Sequence, residues 1–288
     1  MELTGRTRRG RGGVAAAWAL AACGLVACDG PPPEADAGQV LDAAEARDAT
    51  APLDAGPIEA SLLAEDQSLA LTTVVSVTAD CDGPCWVVIA EESGAVLGMS
   101  ALPRGRHARV EVGLERRLTS GEALRAALHD DAGVAGVFEP GEDESLLEAS
   151  FAVTIEPGTP DVRISVLNVG DHSYVFTAAS SSAFPITADP SAENPPIALR
   201  RGWRYEVFNP ANVSHPFELI HAGESADEVH LSQRDDGTLH TDASVAFEIV
   251  SPAFFRFTVS ASLEAVVDAY RCLIHPHMRG EVSYVDAP

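Results

Sequence analysis

Lysine is absent from this chain: its 19 basic residues are all arginine, set against 43 acidic ones. The formal net charge of -24 argues against nucleic acid as a partner, since binding phosphates needs a positive surface. Such an acidic excess serves solubility, and it would also steer a basic partner. Aromatic residues are few, at 6%. Helical periodicity is weak and solenoid repeats are missing. There is no Ser–His–Asp signature, phosphate-binding loop or zinc-protease helix. Cysteine is scarce as well, with 5 residues in 288, so each one can be given a role. The hydrophobic fraction of 46% still supplies two modest cores, and the length allows two ordinary domains after a leader.

The N-terminus reads as a targeting segment. Arg6, Arg8, Arg9 and Arg11 form a basic region, and Val14 to Ala27 an apolar one shorter than a comfortable bilayer span. It ends in Leu25-Val26-Ala27-Cys28, which resembles the lipobox of bacterial lipoproteins. That resemblance implies a signal peptide over residues 1–27 and a lipid on Cys28. Cys23 is a weaker competitor, because cutting there would leave Gly24 to Ala27 as an apolar stub. A plain secretory leader with an unmodified Cys28 is the alternative. Arg8-Arg9 raises a twin-arginine route, but Arg11 and Gly12 stand where that signal prefers apolar residues. Residues 28–58, opening with Pro31-Pro32-Pro33 and rich in Ala and Asp, read as a disordered tether with too little apolar surface to offset its ordering entropy.

Three cysteines remain. Cys81 and Cys85, four apart across Asp82-Gly83-Pro84, form a natural disulfide in an oxidising compartment. A second metal or redox pair is the other reading, but no histidine cluster accompanies it. Cys272 is left single, the state a metal-ligating thiolate needs.

The pattern of strands predicts an all-β chain of two sandwich domains, over 59–156 and 161–288, divided at Pro157-Gly158-Thr159-Pro160. In the first, strands are expected over Leu71–Val77, Cys85–Ile89, Ala95–Leu97, His107–Leu114, Ala123–His129 and Phe151–Ile155. Glu142-Asp143-Glu144 reads as a solvated loop, and His107, His129 and His172 as structural singles. The run from Trp86 to Ser100, with Arg116-Arg117-Leu118 and Leu124 to Asp131, resembles a β-sandwich module of archaeal and bacterial surface proteins. In the second domain the expected strands include Val162–Val169, Tyr174–Phe176, Ile197–Leu199, Trp203–Phe208, Phe217–Ile220, Ala246–Ile249, Phe254–Val259, Ala265–Tyr270 and Val282–Val285. Arg201-Gly202 reads as a hairpin turn.

The chemistry concentrates in Cys272-Leu273-Ile274-His275-Pro276-His277-Met278. A thiolate, an imidazole and a thioether follow one another at three-residue intervals. Two His and one Cys in a trigonal set, with a weak axial Met, make a blue-copper site. The missing imidazole is best supplied by His215 in Asn212-Val213-Ser214-His215-Pro216-Phe217, with His221, His230 and His240 in the same stretch as alternatives. His277 reads as a solvent-facing spacer. Taking it as the ligand instead would spoil the spacing on both sides.

Tyr270 to Val282 resembles the copper loop of cupredoxins, especially the plastocyanin and amicyanin kind, and Ile197 to Phe208 resembles the strand pair before their first histidine. The resemblance implies a Greek-key sandwich, one type 1 copper ion per chain and one-electron transfer. It implies His215, Cys272 and His275 as equatorial ligands and Met278 as the axial one. One departure stands out: plastocyanin-like members often have Asn directly after the first His, where it braces the Cys loop, and this chain has Pro216.

The expected protein is a lipid-anchored blue-copper electron carrier of a bacterial cell envelope, on the periplasmic or outer surface. Its partner would be a redox protein such as a cytochrome or a copper enzyme. The alternative is a copper-binding or structural surface lipoprotein without electron transfer. Enzyme activity is not expected, since a multicopper oxidase needs several His-x-His pairs and here only His275-Pro276-His277 has that form. Mass spectrometry of the mature N-terminus should find a lipid-modified Cys28 as its first residue; an unmodified residue there refutes the anchor.

Overall fold

The structure is a computed structural model that describes residues 60–286 apart from 180–185, 190 and 225. The leader, Cys28 and the tether lie outside the described residues. The described residues belong to one compact unit, Asp54–Pro288, and their chain is almost wholly β.

The first eight strands are β1 (Ser61–Leu63), β2 (Gln67–Ser68), β3 (Val74–Cys81), β4 (Cys85–Glu91), β5 (Val96–Leu102), β6 (Gly105–Gly113), β7 (Ala123–Asp130) and β8 (Ser145–Thr154). They form a sheet of order β1-β3-β6 and another of order β2-β8-β7-β4-β5. Along β3 every second residue is buried, as period-two alternation requires of a strand with one wet face. Val75, Val112, Ile89, Leu124 and Phe151 meet in one apolar cluster. Cys81 ends β3, Cys85 opens β4, and a disulfide joins them across the turn.

Strand β4 is buried on both faces, because the 131–143 loop folds over its outer side. Phe138 of that loop packs on Trp86 and His129, with ring centroids 5.9 and 5.2 Å away. Asp143 holds the loop by accepting backbone N–H bonds from Glu139 at 2.8 Å, Ala132 at 3.1 Å and Gly133 at 3.3 Å. Those donors, that of Glu139 first, hold its carboxyl below the usual carboxylate range. The centre of Glu142-Asp143-Glu144 is therefore a buried anchor, not part of a solvated charge run.

The remaining elements are β9 (Val162–Val169), β10 (Ser173–Ala179), β11 (Ile197–Arg200), β12 (Arg204–Phe208), β13 (Phe217–His221), β14 (Glu228–Ser232), β15 (Glu248–Ser251), β16 (Phe254–Thr258), the short helix α1 (Ala261–Glu264), β17 (Ala269–Cys272) and β18 (Arg279–Val285). One sheet has the order β10-β9-β12-β16-β15, the other β11-β18-β17-β13-β14. A second apolar cluster, rich in aromatic side chains such as Tyr174, Phe176, Phe217, Phe255 and Tyr270, belongs to these strands.

Several expectations need correction here. Arg201-Gly202 is a turn but not within a hairpin: β11 pairs with β18 while β12 pairs with β9 and β16. Gly202, at φ 72°, lets the chain cross from one sheet to the other. The segment Ala265–Asp268 is not strand. Ser260 accepts the Leu263 N–H and caps α1, and the chain becomes extended only at Ala269. Strand β15 starts at Glu248, after Ala246 at φ 46°. Strand β3 starts at Val74, because Thr72 and Thr73 are spent on a polar joint.

That joint centres on Asp161, whose side chain is only 6% exposed. Its carboxylate accepts from the Thr72 hydroxyl, from Arg204 N–H at 2.8 Å and from Arg117 Nη1 at 3.3 Å. Thr73 donates to the Asp161 carbonyl at 2.7 Å. Arg117 also lies over the Trp203 ring, 5.5 Å from its centroid. The two apolar clusters are thus linked by a buried carboxylate whose donors come from both sides. Asp161→Ala would strand those donors and should destabilise the fold by about 3 kcal/mol, measured by urea unfolding. Unchanged stability would remove Asp161 as the joint.

Candidate metal centre

Topology brings three loops to one end of the two sheets built from β9 to β18. Strands β9 and β12 run parallel, so the β9–β10 turn and the β12–β13 loop leave the sheet at the same end. Strands β13 and β17 run antiparallel with Phe217 opposite Cys272, so the β17–β18 loop joins them there. The β12–β13 loop carries His215. The β17–β18 loop begins at Cys272 and carries His275 and Met278.

Local hydrogen bonding fixes each piece. Asn209, fully buried, opens the first loop: its Oδ1 accepts from Ala211 N–H at 3.1 Å and its Nδ2 donates to the His215 carbonyl at 2.8 Å. The Tyr174 hydroxyl donates to the same carbonyl at 2.8 Å. His215 N–H closes the turn on the Ala211 carbonyl at 2.7 Å. In the second loop, Cys272 N–H bonds the Met278 carbonyl at 2.9 Å and Met278 N–H bonds the His275 carbonyl at 2.8 Å. The two loops touch where Leu273 N–H donates to the Pro216 carbonyl at 3.0 Å. Pro216 has no N–H to give, yet its carbonyl and the Asn209 and Tyr174 bonds brace the site. Gly280 follows because a Cβ there would lie 2.4 Å from the Tyr270 hydroxyl.

The result is a cluster of His215, Cys272 and His275, with their ligand atoms all within 4.8 Å of one another. Cys272 Sγ lies 3.9 Å from His215 Nδ1 and 3.7 Å from His275 Nδ1. A metal about 2.3 Å from sulfur and about 2.0 Å from nitrogen, with bonds near 120°, separates those atoms by about 3.7 Å. The spacing therefore fits a trigonal S, N, N set. Cys272 is a free thiol, buried with Met278 in the aromatic cluster, and both are fully shielded from solvent. A soft sulfur and two imidazoles are the donors a copper ion accepts. His275 is the most open of these groups, with 23% of its side chain exposed.

Burial, then the neighbouring His275, lowers the His215 pKa, while Asp171 opposes the shift. Burial and the adjacent Cys272 sulfur push Tyr174 up, so its hydroxyl stays protonated. The other candidates for the first imidazole have their own partners. His221 Nδ1 pairs with Asp268 at 2.8 Å, His230 Nδ1 meets the Thr238 hydroxyl at 2.6 Å, and His240 Nε2 accepts from Ser232 N–H at 3.0 Å. His277 is exposed but not idle, for its Nε2 donates to the Asp171 carbonyl at 2.7 Å. Spacing alone could not reveal Asn209, Tyr174 or Asp171, since each reaches the site through folding.

A family model described as a domain of unknown function, DUF7282, matches residues 60–157, the first eight strands. No curated protein matches the chain. Among solved structures, one titled "Biofilm associated protein - BSP domain" is similar at 8% identity with a TM-score of 0.24. The match covers 81% of this chain and about 30% of that one, and it carries nothing to the site.

His230 and His240 are also lowered from 6.5, chiefly by burial. An unfolded chain then takes up these protons before the folded one does, so stability falls as pH drops below about 6.5. The thermal midpoint of the metal-free protein should be lower at pH 5.5 than at pH 7.5. An unchanged midpoint would contradict the burial of these rings.

Proposed function

We propose that the protein carries single electrons through one copper ion held by His215, Cys272, His275 and Met278. The observation that carries this reading is the convergence of Cys272 Sγ with the Nδ1 atoms of His215 and His275, at 3.9 and 3.7 Å. Bound copper would supply a one-electron couple, since soft sulfur favours Cu(I) and imidazole suits either state. The protein's part is rigidity. Cys272 is buried at the end of β17 and His215 is buried two residues before the paired strand β13, and backbone bonds clamp the loop from Cys272 to Met278. Such a frame keeps the donors in one arrangement for both oxidation states. Tyr174 and Asn209 fix the His215 backbone, and the aromatic cluster excludes water from the sulfur. His275 is the most exposed of the four donors and so offers the contact through which electrons would pass to a partner.

In this reading the chain is a carrier, not an enzyme, and exchanges electrons with a redox protein such as a cytochrome or a copper enzyme. Cys28 would tether it by a lipid to a bacterial cell envelope, on the periplasmic or outer surface, with residues 28–58 as a spacer. Nucleic acid is not among its partners on grounds of charge.

Copper(II) added to the metal-free protein should give an intense blue or green colour at one ion per chain, and Cys272→Ser should abolish it. A colourless loaded protein overturns the type 1 assignment. Colour without reversible voltammetry would favour a copper-binding surface protein over a carrier.

A further inference from the structure

Both imidazoles of the proposed centre turn their second edge toward one carboxylate. Asp171 Oδ1 lies 3.6 Å from His215 Nε2 and 3.9 Å from His275 Nε2. The Nδ1 atoms of the same two rings face Cys272 Sγ. The rings lie side by side, with centroids 4.8 Å apart and planes 31° apart. One edge of the pair therefore meets a sulfur and the other meets an anion.

A neutral imidazole has one N–H and one lone pair, and its surroundings decide which nitrogen carries which. At 3.6 and 3.9 Å the contacts to Asp171 are longer than hydrogen bonds. An anion at that range still favours the tautomer whose N–H points at it. Protons on Nε2 leave the lone pairs on Nδ1, aimed at the space beside Cys272 Sγ.

The position of Asp171 is built, not incidental. It sits in the turn between β9 and β10, after Gly170 at φ 56°. Asn168 Nδ2 donates to the Gly170 carbonyl at 3.0 Å, and Asn194 Nδ2 to the His172 carbonyl at 3.3 Å. His277, from the ligand loop itself, donates to the Asp171 carbonyl at 2.7 Å. A ring two residues from His275 thus ties the turn to the loop that it serves.

We infer that Asp171 is a positioning residue that sets the tautomer of both His215 and His275, presenting Nδ1 of each to copper, and that its negative charge favours the oxidised ion. This inference rests on the copper reading. Carboxylates behind metal-bound histidines act in this way generally, and their loss shifts metal affinity about 10–100-fold. Asp171 is 70% exposed, so solvent and salt damp its field and the low end applies.

The test uses the full chain with Asp171→Asn, which keeps the shape and removes the charge, and Asp171→Glu, which restores the charge. Asp171→Ser, short and uncharged, repeats the readouts should the amide disturb the turn. In the metal-free proteins, imidazole 15N shifts should report N–H on Nε2 of both rings in the native chain and a mixture of tautomers in the uncharged variants. In the copper-loaded proteins, removing the charge should favour Cu(I) over Cu(II) and raise the reduction potential, because a nearby anion stabilises the more highly charged ion. Asp171→Glu should return both readouts toward native values. Tautomers and potential unchanged by loss of the charge overturn the inference. If the native protein gives no blue band, the carrier reading fails, while the 15N shifts still decide whether Asp171 orients the rings.

Discussion

The candidate centre depends on the antiparallel pairing of β13 with β17, and within it on the register that sets Phe217 opposite Cys272. Side chains alternate along a strand, so a slip of one residue would turn the Cys272 sulfur to the opposite face of the sheet. Apolar packing opposes that slip. Phe217 stacks on Tyr270 with centroids 5.5 Å apart and planes 18° apart, and both rings are buried with Phe176. Each such side chain contributes about 1.5–3 kcal/mol by leaving water. The geometry of a polar site is thus set by the aromatic contacts beneath it. His215, two residues before Phe217, comes along with the strand that follows it.

The absence of lysine has a structural counterpart on the same strands. Glu206 of β12 is buried between Arg163 of β9 and Arg256 of β16, with contacts of 2.6 and 2.7 Å. Glu218 of β13 is buried against Arg271 of β17 at 2.8 Å, and Arg271 reaches on to Asp227 at 2.7 Å. In each case the register places the arginine directly opposite the glutamate. A planar guanidinium presents several donors in a fixed fork, which a lysine ammonium does not. Breaking a buried pair by removing one partner typically costs about 3–5 kcal/mol. These pairs stiffen the two strands between which the His215 loop is strung. On these strands the buried glutamates are matched by such forks, whereas Asp143 is buried on backbone N–H groups alone.

Much of this was legible in the residues themselves. The all-β class followed from short alternating runs such as Val162–Val169, whose limits agree with β9. The donor set was visible because Cys272, His275 and Met278 lie within one loop, where spacing in sequence nearly equals spacing in space. His215 was harder, being 57 residues away from Cys272, and was singled out from its neighbours by resemblance. Asp171 could not be read at all, since only the parallel pairing of β9 with β12 brings its turn to the site. Strand β14 is not legible in the sequence, because Glu228-Val229-His230-Leu231-Ser232 is a short, polar edge strand. The expected strand over Ala265–Tyr270 failed for a local reason: Ser260 offers a helix cap that outcompetes extension for the next few residues. Thr72 and Thr73 have strong strand propensity, but Asp161 claims their hydroxyls first.

Strand β18 lies inside its sheet, parallel to β11 on one side and antiparallel to β17 on the other. Without it, β11 would be severed from β17, β13 and β14, and the sheet would exist only as fragments. The hairpin that holds Cys272, His275 and Met278 is therefore also the seam that sews those fragments together. Closing that seam joins Ile197 to Val282 across a long stretch of chain, a slow kind of contact to form. The loop that carries three of the donors and the strand that keeps the sheet whole are one continuous piece of chain, so a change that loosens β18 is felt at Cys272 and His275 as well.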